Sequence, residues 1–422
     1  MLSTARINIY QQPAFNNPRL KNHTISTIKT RPGKLPFSKR AKTARQAWQN
    51  NGRCPDGTIA IRRATQQSQL EVDATQPNGC YIEYAGIQAP QTVYGARGDV
   101  NVWGIRVEPN EWSTNGIVIT NGRGASLQFG WMVAPTLYGE SHGKTRLFIR
   151  TVDPQNGVDC FNLNCAGFVQ ISNEYAFGAA LAPLSEYGDV QYETHLTIYK
   201  DMLSNRWCAM YGDTMLGYWP LEAFPAFDKG EEAFWGGQVC NMHEGQEYTT
   251  TGMGSGYHPI EGMGKSAYIH GIQVMQIDKS WQRPTRTFGN MSNQPCYGVE
   301  PYESKDGALS IFFGVRGGGV ERPGSELLAT IGKISRPATS QKFRPGSILN
   351  PWMILCNRGH KNSTVISDGH PGPLLQTCVP PQNPHLYLPS PSRSAVFAKS
   401  VMNREYGHCS WMTSSPIHPI GT

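Results

Sequence analysis

The sequence lacks the segments by which chains usually enter or cross membranes. No run of 18 or more consecutive apolar residues occurs in the 422-residue chain, so no segment has the length that a transmembrane helix requires. The first 20 residues, MLSTARINIYQQPAFNNPRL, contain no continuous apolar core and no small-residue cleavage site, so they do not form a signal peptide as they stand. Few windows show the 3.6-residue apolar period of an amphipathic helix. We therefore expect no membrane span and few helices.

Common catalytic and cofactor motifs are also missing. No GxSxG sequence supports a Ser-His-Asp site, and the Gly-rich stretch GMGSG at 252–256 has no phosphate-loop lysine. A metal centre has little support, because CFNLNC has no second Cys or His pair at ligand spacing and His243 and His258 lie in polar, Gly-rich sequence. We expect no cofactor and no metal.

The positive charge is unevenly distributed. The formal net charge is +7, but much of it comes from the first 63 residues and the last hundred, rather than from a basic stripe interleaved with aromatic residues. Such tails are usually solvated segments. The pattern argues against nucleic acid as a partner.

The remaining composition favours a β protein. The chain has 45 Gly, 30 Pro and 10% aromatic residues, and segments such as ASLQFGWMV, TRLFIRTV and QYETHLTIY alternate apolar and polar residues between turn sequences. This pattern predicts an all-β fold in which two antiparallel sheets pack into a sandwich of the jelly-roll or concanavalin-like kind. Trp219 and Pro220, in GYWPLEAF, are interpreted as core residues. Residues 320–422 are rich in Pro and Ser without a sustained period and are predicted to be largely disordered.

Several blocks recur together in order and carry a family resemblance. WMVAPTLYGESHGKTRLFIRTVD, CFNLNCAGFVQ, YWP, FWGGQV and TTTGMGSG resemble the neprosin family of secreted plant proteins, whose active members are glutamic endopeptidases that cut after proline. The resemblance extends over residues 9–318. It implies a remnant of the activation peptide at 1–75, a neprosin β-sandwich domain at 85–318 and a tail at 320–422 outside the family pattern.

Two glutamines occupy the places where active family members carry glutamate. Gln128 precedes Gly130 and Trp131, and Gln238 follows Trp235, Gly236 and Gly237. An amide has no titratable proton and cannot act as acid or base. The resemblance thus implies a dyad site silenced at both positions, with Trp131, Trp235, Gly236 and Gly237 lining the substrate cleft.

Two functions remain open on this basis. The first is a catalytically inactive, extracellular homologue that binds a proline-containing peptide. The alternative is an active acid prolyl endopeptidase that uses other carboxylates. Glu140 and Glu193 are at places that are usually acidic in the family and are interpreted as structural. Glu231 and Glu232 are the candidates to replace the missing catalytic carboxylate at Gln238. They are several residues from that position, however, and moving them into its register would change the face from which the side chain projects.

The cysteines and sequons bear on the compartment. The resemblance implies a Cys160–Cys165 disulfide. Cys208 and Cys240 are expected to be buried thiols. Cys54 and Cys80 flank the entry to the main domain, and no partner for Cys296 is evident. Sequons at Asn22, Asn290 and Asn362 are compatible with secretion. Because family members begin with a signal peptide, we interpret the chain as truncated at its start and expect an extracellular, vacuolar or cell-wall protein.

Overall fold

The computed structural model describes residues 4–25, 41–62, 80–139, 143–164, 167–225, 227–243, 249–292 and 296–315. The predicted disordered tail at 320–422, together with Glu140 and Asn362, lies outside these ranges. No helix among the described residues is long and apolar enough to cross a membrane.

The described chain is built from strands and short 3₁₀ turns, and it contains no α-helix. The strands are β1 Thr4–Asn8, β2 Lys42–Thr43, β3 Arg45–Gln46, β4 Thr58–Arg62, β5 Tyr81–Ala89, β6 Gly95–Asn101, β7 Trp112–Thr120, β8 Ser126–Val133, β9 Arg146–Asp153, β10 Val158–Phe161, β11 Val169–Gln170, β12 Leu181–Ala182, β13 Tyr192–Asp201, β14 Arg206–Tyr211, β15 Thr214–Pro220, β16 Glu232–Asn241, β17 Ala267–Met275, β18 Trp281–Gln282, β19 Phe288–Met291, β20 Tyr297–Glu303 and β21 Leu309–Val315. The 3₁₀ turns are Ile9–Gln11, Pro13–Asn16, Pro18–Leu20, Ala47–Asn51, Thr136–Tyr138, Pro154–Asn156, Asn162–Asn164 and Pro259–Glu261. The all-β prediction is confirmed.

Two large sheets form the sandwich. One has seven strands in the order β10-β9-β8-β7-β16-β5-β19, and the other has ten, with the main path β11-β15-β14-β13-β6-β17-β21-β20. Neighbouring strands in both are antiparallel, except for the short parallel pairing of β2 with β13. One face of each sheet contributes to the main core, whose largest fully buried side chains are Trp131, Trp207, Trp219 and Trp235. The interpretation of Trp219 as a core residue is therefore confirmed.

The N-terminal segment packs onto this sandwich. Strand β1 pairs with β4, β3 pairs with β12, and β2 lies along β13. Leu20 is fully buried in the main core, and the Gln12 side chain exchanges hydrogen bonds with the backbone of Gln170. The described parts of this segment thus gain their burial from the domain rather than from a core of their own.

One cysteine assignment is wrong. Cys240 is not a buried thiol, because it forms a disulfide with Cys80, 160 residues away in sequence, where the start of β5 meets the end of β16. Cys208 is a buried thiol, as expected. Cys160 is also disulfide-bonded, and Cys165, its expected partner, lies outside the described residues.

Candidate functional site

Gln128 and Gln238 lie on the same face of the seven-stranded sheet. Both flank the central strand β7: Gln128 is opposite Val118, and Gln238 is opposite Thr114. Residues directly opposite each other share a face, and so do residues an even number apart along a strand. Because positions 114 and 118 differ by four, both glutamines project from one face. The main core lies on the other side, so this is the outer face of the sheet.

A row of four glycines separates the two glutamines. Gly130, Gly116, Gly236 and Gly86 are aligned across β8, β7, β16 and β5. A Cβ on any of them would come within 2.0–2.3 Å of a carbonyl oxygen of the neighbouring strand, so no larger residue fits without moving backbone. The clash is mutual within each pair, Gly116 with Gly130 and Gly86 with Gly236. Since these Cβ positions point outward, each pair of strands curls toward the outer face, which is concave along the row.

The register gives the span between the glutamines. They are two strands and four residues apart, which on a flat sheet corresponds to about 16 Å between Cα atoms. The curl at the glycine row shortens this distance. A ligand extended across the row would reach both glutamines, and about five residues of extended chain, which span 16 Å, are the most that it needs.

Both glutamines are buried but poorly satisfied. Gln128 is 5% exposed and Gln238 6%. Gln128 Nε2 donates to Ser126 Oγ at 3.2 Å, whereas its Oε1 is buried without a hydrogen-bond partner. The Gln238 amide makes no hydrogen bond to any residue that the structure describes. A buried acceptor left unpaired costs about 1–3 kcal/mol, so the site has polar capacity that a ligand or water could satisfy.

The surrounding outer face is apolar and aromatic. It carries a second hydrophobic cluster, separate from the main core, that includes Trp112, Met132, Phe148 and Phe161. The Trp112 indole nitrogen is buried without an acceptor. The concave face therefore offers an unpaired donor on Trp112 and an unpaired acceptor on Gln128.

The charge of Arg150, beside Gln128, is neutralised locally. Arg150 lies opposite Gln128 on β9 and donates to both carboxylate oxygens of Asp159, at 2.8 and 2.9 Å. Its guanidinium also lies 5.1 Å from the Phe161 ring centroid and 5.5 Å from that of Trp112. Arg150 thus fixes the aromatic side chains next to Gln128 rather than presenting a free cation.

Comparison with known proteins identifies the framework. Residues 109–315 match the Neprosin family model, and residues 6–84 match the Neprosin activation peptide. The chain belongs to the neprosin family. It is also similar to two solved structures. The crystal structure of scytalido-glutamic peptidase with a peptide-based transition-state analog is 9% identical, with a TM-score of 0.32, over 56% of this chain and 98% of that chain. The structure of the same peptidase with a transition-state analog inhibitor is 11% identical, with a TM-score of 0.33, over 55% and 98%.

The expectation that Trp131 and Trp235 line the cleft of this neprosin domain is wrong. Both are 0% exposed in the main core, where their indole nitrogens donate to the carbonyl oxygens of Asn101 and Arg97 in the opposing sheet, at 2.8 and 3.1 Å. Each tryptophan is three residues from its glutamine. In a strand, odd spacing places side chains on opposite faces, so a glutamine on the outer face requires the tryptophan to face inward.

The two glycines of the WGGQ block also divide between the faces. Gly236 belongs to the outer glycine row, as expected for a cleft residue. A Cβ on Gly237 would instead meet Met253 and Phe313 in the interior, so Gly237 is not a cleft residue. The aromatic residues that do line the outer face, Trp112, Phe148 and Phe161, come from neighbouring strands and were not predicted.

One candidate carboxylate shares the outer face of the neprosin domain, contrary to expectation. Glu232 and Gln238 are six residues apart on β16, and an even spacing places their side chains on the same side of the sheet. Glu231 is an odd number of residues from Gln238, just before the strand, and it is exposed. Gln88 Nε2 donates to Glu232 Oε2, whereas Oε1 is buried without a partner. Burial raises the pKa of Glu232, and the hydrogen bond from Gln88 offsets part of that effect. Glu232 opposes Thr120, on the Gln128 side of the glycine row.

Two groups of side chains in the described residues have donor sets that suit a metal ion. One is Asp99, Glu193 and His195, all buried; the other is Glu108, Glu111 and His243. Within each group the potential ligand atoms lie within 4.8 Å of one another. Neither group includes Gln128 or Gln238, so chemistry at the glutamine site depends on the amides and their neighbours.

Proposed function

We propose that this neprosin-family chain is a non-catalytic, extracellular protein that binds an extended, proline-containing peptide on the concave outer face. Glutamic-peptidase chemistry needs one group to take a proton from water and another to protonate the leaving nitrogen. Gln128 and Gln238 can do neither, but an amide can donate to and accept from a peptide backbone. In this proposal residues 85–318 form the binding domain and residues 1–75 are the remnant of its activation segment.

The observation that carries the proposal is the pair of unpaired polar groups on an apolar, concave surface. Among the residues that the structure describes, Gln128 Oε1 has no donor and the Trp112 indole N–H has no acceptor. A peptide unit offers one of each. Phe148 and Phe161, 2% and 8% exposed, belong to the apolar cluster around these groups.

The disulfides support an oxidising compartment. Cys80–Cys240 and the bridge at Cys160 are typical of secreted proteins and rare in the cytosol. The match of residues 6–84 to an activation peptide also suits a protein that is processed on a secretory route.

A binding assay tests the proposal. The full chain, purified from an oxidising host, should bind a fluorescently labelled, unstructured proline-rich peptide and release no fragments from it. Trp112→Phe removes the indole N–H together with part of the ring, and Gln128→Ala removes the amide; each should weaken binding by at least about 2-fold, the lower value for one ordinary hydrogen bond. Gln282→Ala, which deletes an exposed amide on β18 of the other sheet, is the matched control and should bind normally.

The result against the proposal is equally definite. Failure of the wild-type chain to bind any proline-rich peptide, or equal binding by Trp112→Phe, Gln128→Ala and the wild type, would show that the outer face is not a peptide site.

One observation favours the alternative of residual acid endopeptidase activity. Glu232 is a partly buried carboxyl with a raised pKa on the same face as Gln128, and such a group can serve as an acid or base at mildly acidic pH. Its position is about 12 Å from Gln128 by strand register. Proline-directed cleavage that Glu232→Gln abolishes and Glu231→Gln retains would establish this alternative.

A further inference from the structure

A polar cluster on the ten-stranded sheet is distinct from the glutamine site. His195 on β13 lies directly opposite Asp99 on β6, and Glu193 is two residues before His195, on the same face. The alternating residues Leu196 and Ile198 belong to the main core. The cluster of Asp99, Glu193 and His195 therefore occupies the outward face of this sheet. All three side chains are nonetheless buried.

The hydrogen bonds around the cluster leave one oxygen unused. His195 Nδ1 lies 2.7 Å from Asp99 Oδ1, and Nε2 lies 3.2 Å from the hydroxyl of Thr43 on β2. The Tyr268 hydroxyl donates to Glu193 Oε2 at 3.1 Å, whereas Glu193 Oε1 is buried and has no partner in the described part of the chain. A buried carboxylate oxygen with no donor is costly unless a ligand satisfies it.

We infer that Asp99, Glu193 and His195 form a binding site for one zinc ion. Two carboxylates and one imidazole are ligands that Zn²⁺ takes readily, at about 2.0–2.2 Å, and two carboxylates balance its charge. The ligand atoms already lie within 4.8 Å of one another. Donors around one zinc are about 3.2–3.6 Å apart in tetrahedral geometry, so side-chain movements of about 1 Å complete the site.

The neighbouring residues supply the support that metal ligands usually have. A metal-bound histidine ordinarily holds its second ring nitrogen in a hydrogen bond, which sets the ring orientation and the tautomer. Thr43 Oγ1 occupies that position for Nε2, leaving Nδ1 to face the metal. Tyr268 does the same for Glu193 by holding Oε2, so that Oε1 is the oxygen available for coordination.

A cavity borders the His195 member of the cluster. Its volume is ≈ 690 Å³, and it is lined by Thr43, His195, Tyr211 and Asp213, among others. Because Thr43 belongs to the N-terminal segment and His195 to β13, a zinc ion that fixes the His195 ring would also fix the contact between them.

The second group of potential ligands gives the contrast. Glu111 Oε1 accepts from the Met242 backbone at 2.9 Å, and its Oε2 accepts from the Thr249 and Thr251 hydroxyls. Glu108 Oε1 accepts from Thr250, and its Oε2 lies 3.1 Å from His243 Nε2. Every carboxylate oxygen there already has a partner, so this group serves to tie two loops together and provides a matched control.

Zinc titration of the full chain tests the inference. After chelator treatment and buffer exchange, calorimetry with ZnCl₂ should give one site per chain. Glu193→Gln, nearly isosteric, should weaken zinc binding by at least about 10-fold, the smallest effect usual even for residues that only support a ligand. His243→Gln should leave the affinity unchanged. Absence of zinc binding by the wild type, unchanged affinity in Glu193→Gln, or loss of binding in His243→Gln would overturn the proposal.

A measurement on the wild-type protein covers the case in which Glu193→Gln does not fold. Anomalous difference maps at the zinc edge, from wild-type crystals grown with ZnCl₂, should place a peak between Asp99, Glu193 and His195. A peak at Glu108 and His243 only, or no peak on the chain, would overturn the site. Neither measurement depends on peptide binding, so its outcome is separate from that of the proposed function.

Discussion

Gln128 and Gln238 stand on opposite sides of the glycine row, each two residues from it, and both project from the concave outer face. This arrangement explains how two side chains 110 residues apart in sequence can contact the same ligand. In the proposed function the two amides stand where acid and base groups would act together on a peptide, and an amide can only form hydrogen bonds.

The glycine row should be intolerant of any side chain. In Gly116→Ala, the new Cβ would lie 2.3 Å from the Phe129 carbonyl oxygen and 2.8 Å from Gly130 Cα, which forces backbone movement. We expect the free energy of unfolding to fall by about 3 kcal/mol, the upper end for overpacked sites, as measured by urea denaturation. Gly104→Ala, in which the new Cβ meets only a flexible Leu184 methyl at 3.1 Å, should lower the free energy of unfolding far less. Equal losses in the two variants would contradict the close approach of the strands at the glycine row.

Trp235 should matter for stability and not for peptide binding. Trp235→Phe keeps an aromatic ring in the core but loses the hydrogen bond to the Arg97 carbonyl oxygen and part of the buried indole. The expected cost is about 1–3 kcal/mol of unfolding free energy, with peptide affinity unchanged. A Trp235→Phe variant that has normal stability but fails to bind peptide would show instead that Trp235 contacts the peptide.

Glu232 should make stability depend on pH in a defined direction. Its pKa is raised in the folded protein, chiefly by burial. A carboxyl of this kind contributes its full stabilisation below its unfolded pKa and loses it as the pH rises through the folded value. Glu232→Gln should therefore melt at a higher temperature than the wild type at pH 7, and the difference should vanish below the ordinary carboxyl pKa of 4.5.

The control for this prediction is the adjacent Glu231→Gln, which removes an exposed carboxylate and tests for a general effect of charge. A Glu232→Gln variant that is less stable than the wild type at pH 7 would mean that the ionised carboxylate, held by Gln88, is favourable in the fold.

The long-range disulfide should be a major source of stability. Cys80 and Cys240 close a loop of 160 residues, and cross-links of this length typically contribute about 3–5 kcal/mol by restricting the unfolded chain. Cys240→Ser should lower the unfolding free energy by that amount, whereas Cys54→Ser, at a partly exposed thiol, should change it little.

Non-reducing mass spectrometry should detect the Cys80–Cys240 disulfide and a Cys160–Cys165 disulfide. Free Cys160 and Cys165 thiols in folded, secreted protein would contradict the second disulfide.

The sequence predicts the sandwich and the positions of the two glutamines because both depend on local patterns. Period-two alternation identifies β8 and β16, and the WGGQ block marks Gln238. The same alternation would have placed Trp131 and Trp235 in the core, since each is three residues from a glutamine. The family resemblance, in contrast, places both tryptophans in the cleft.

Other features could not be predicted because they depend on strand register. The Cys80–Cys240 pairing requires knowing that β5 lies beside β16. The position of Phe161 near Gln128 requires β10, β9 and β8 to be adjacent, and the contact between Asp99 and His195 requires the register of β6 with β13. No local motif encodes these pairings, since strands far apart in sequence supply them.

Restoring both carboxylates should restore some chemistry. Gln128→Glu combined with Gln238→Glu is expected to produce acid-dependent cleavage after proline, whereas either single substitution gives far less, because the two groups act as a unit. The double variant should lose stability mainly near neutral pH, where two nearby carboxylates repel unless one keeps its proton. A folded double variant without activity would show that the outer face has changed beyond these two residues.

Binding without cutting is tested by incubating the wild-type chain with an unstructured proline-rich protein between about pH 2 and 6, the range that spans ordinary and raised carboxyl pKa values. Products are identified by mass spectrometry against a mock preparation, with the double glutamate variant assayed in parallel. We expect no cleavage after proline by the wild type. Proline-directed products from the wild type, absent from the mock preparation, would contradict it.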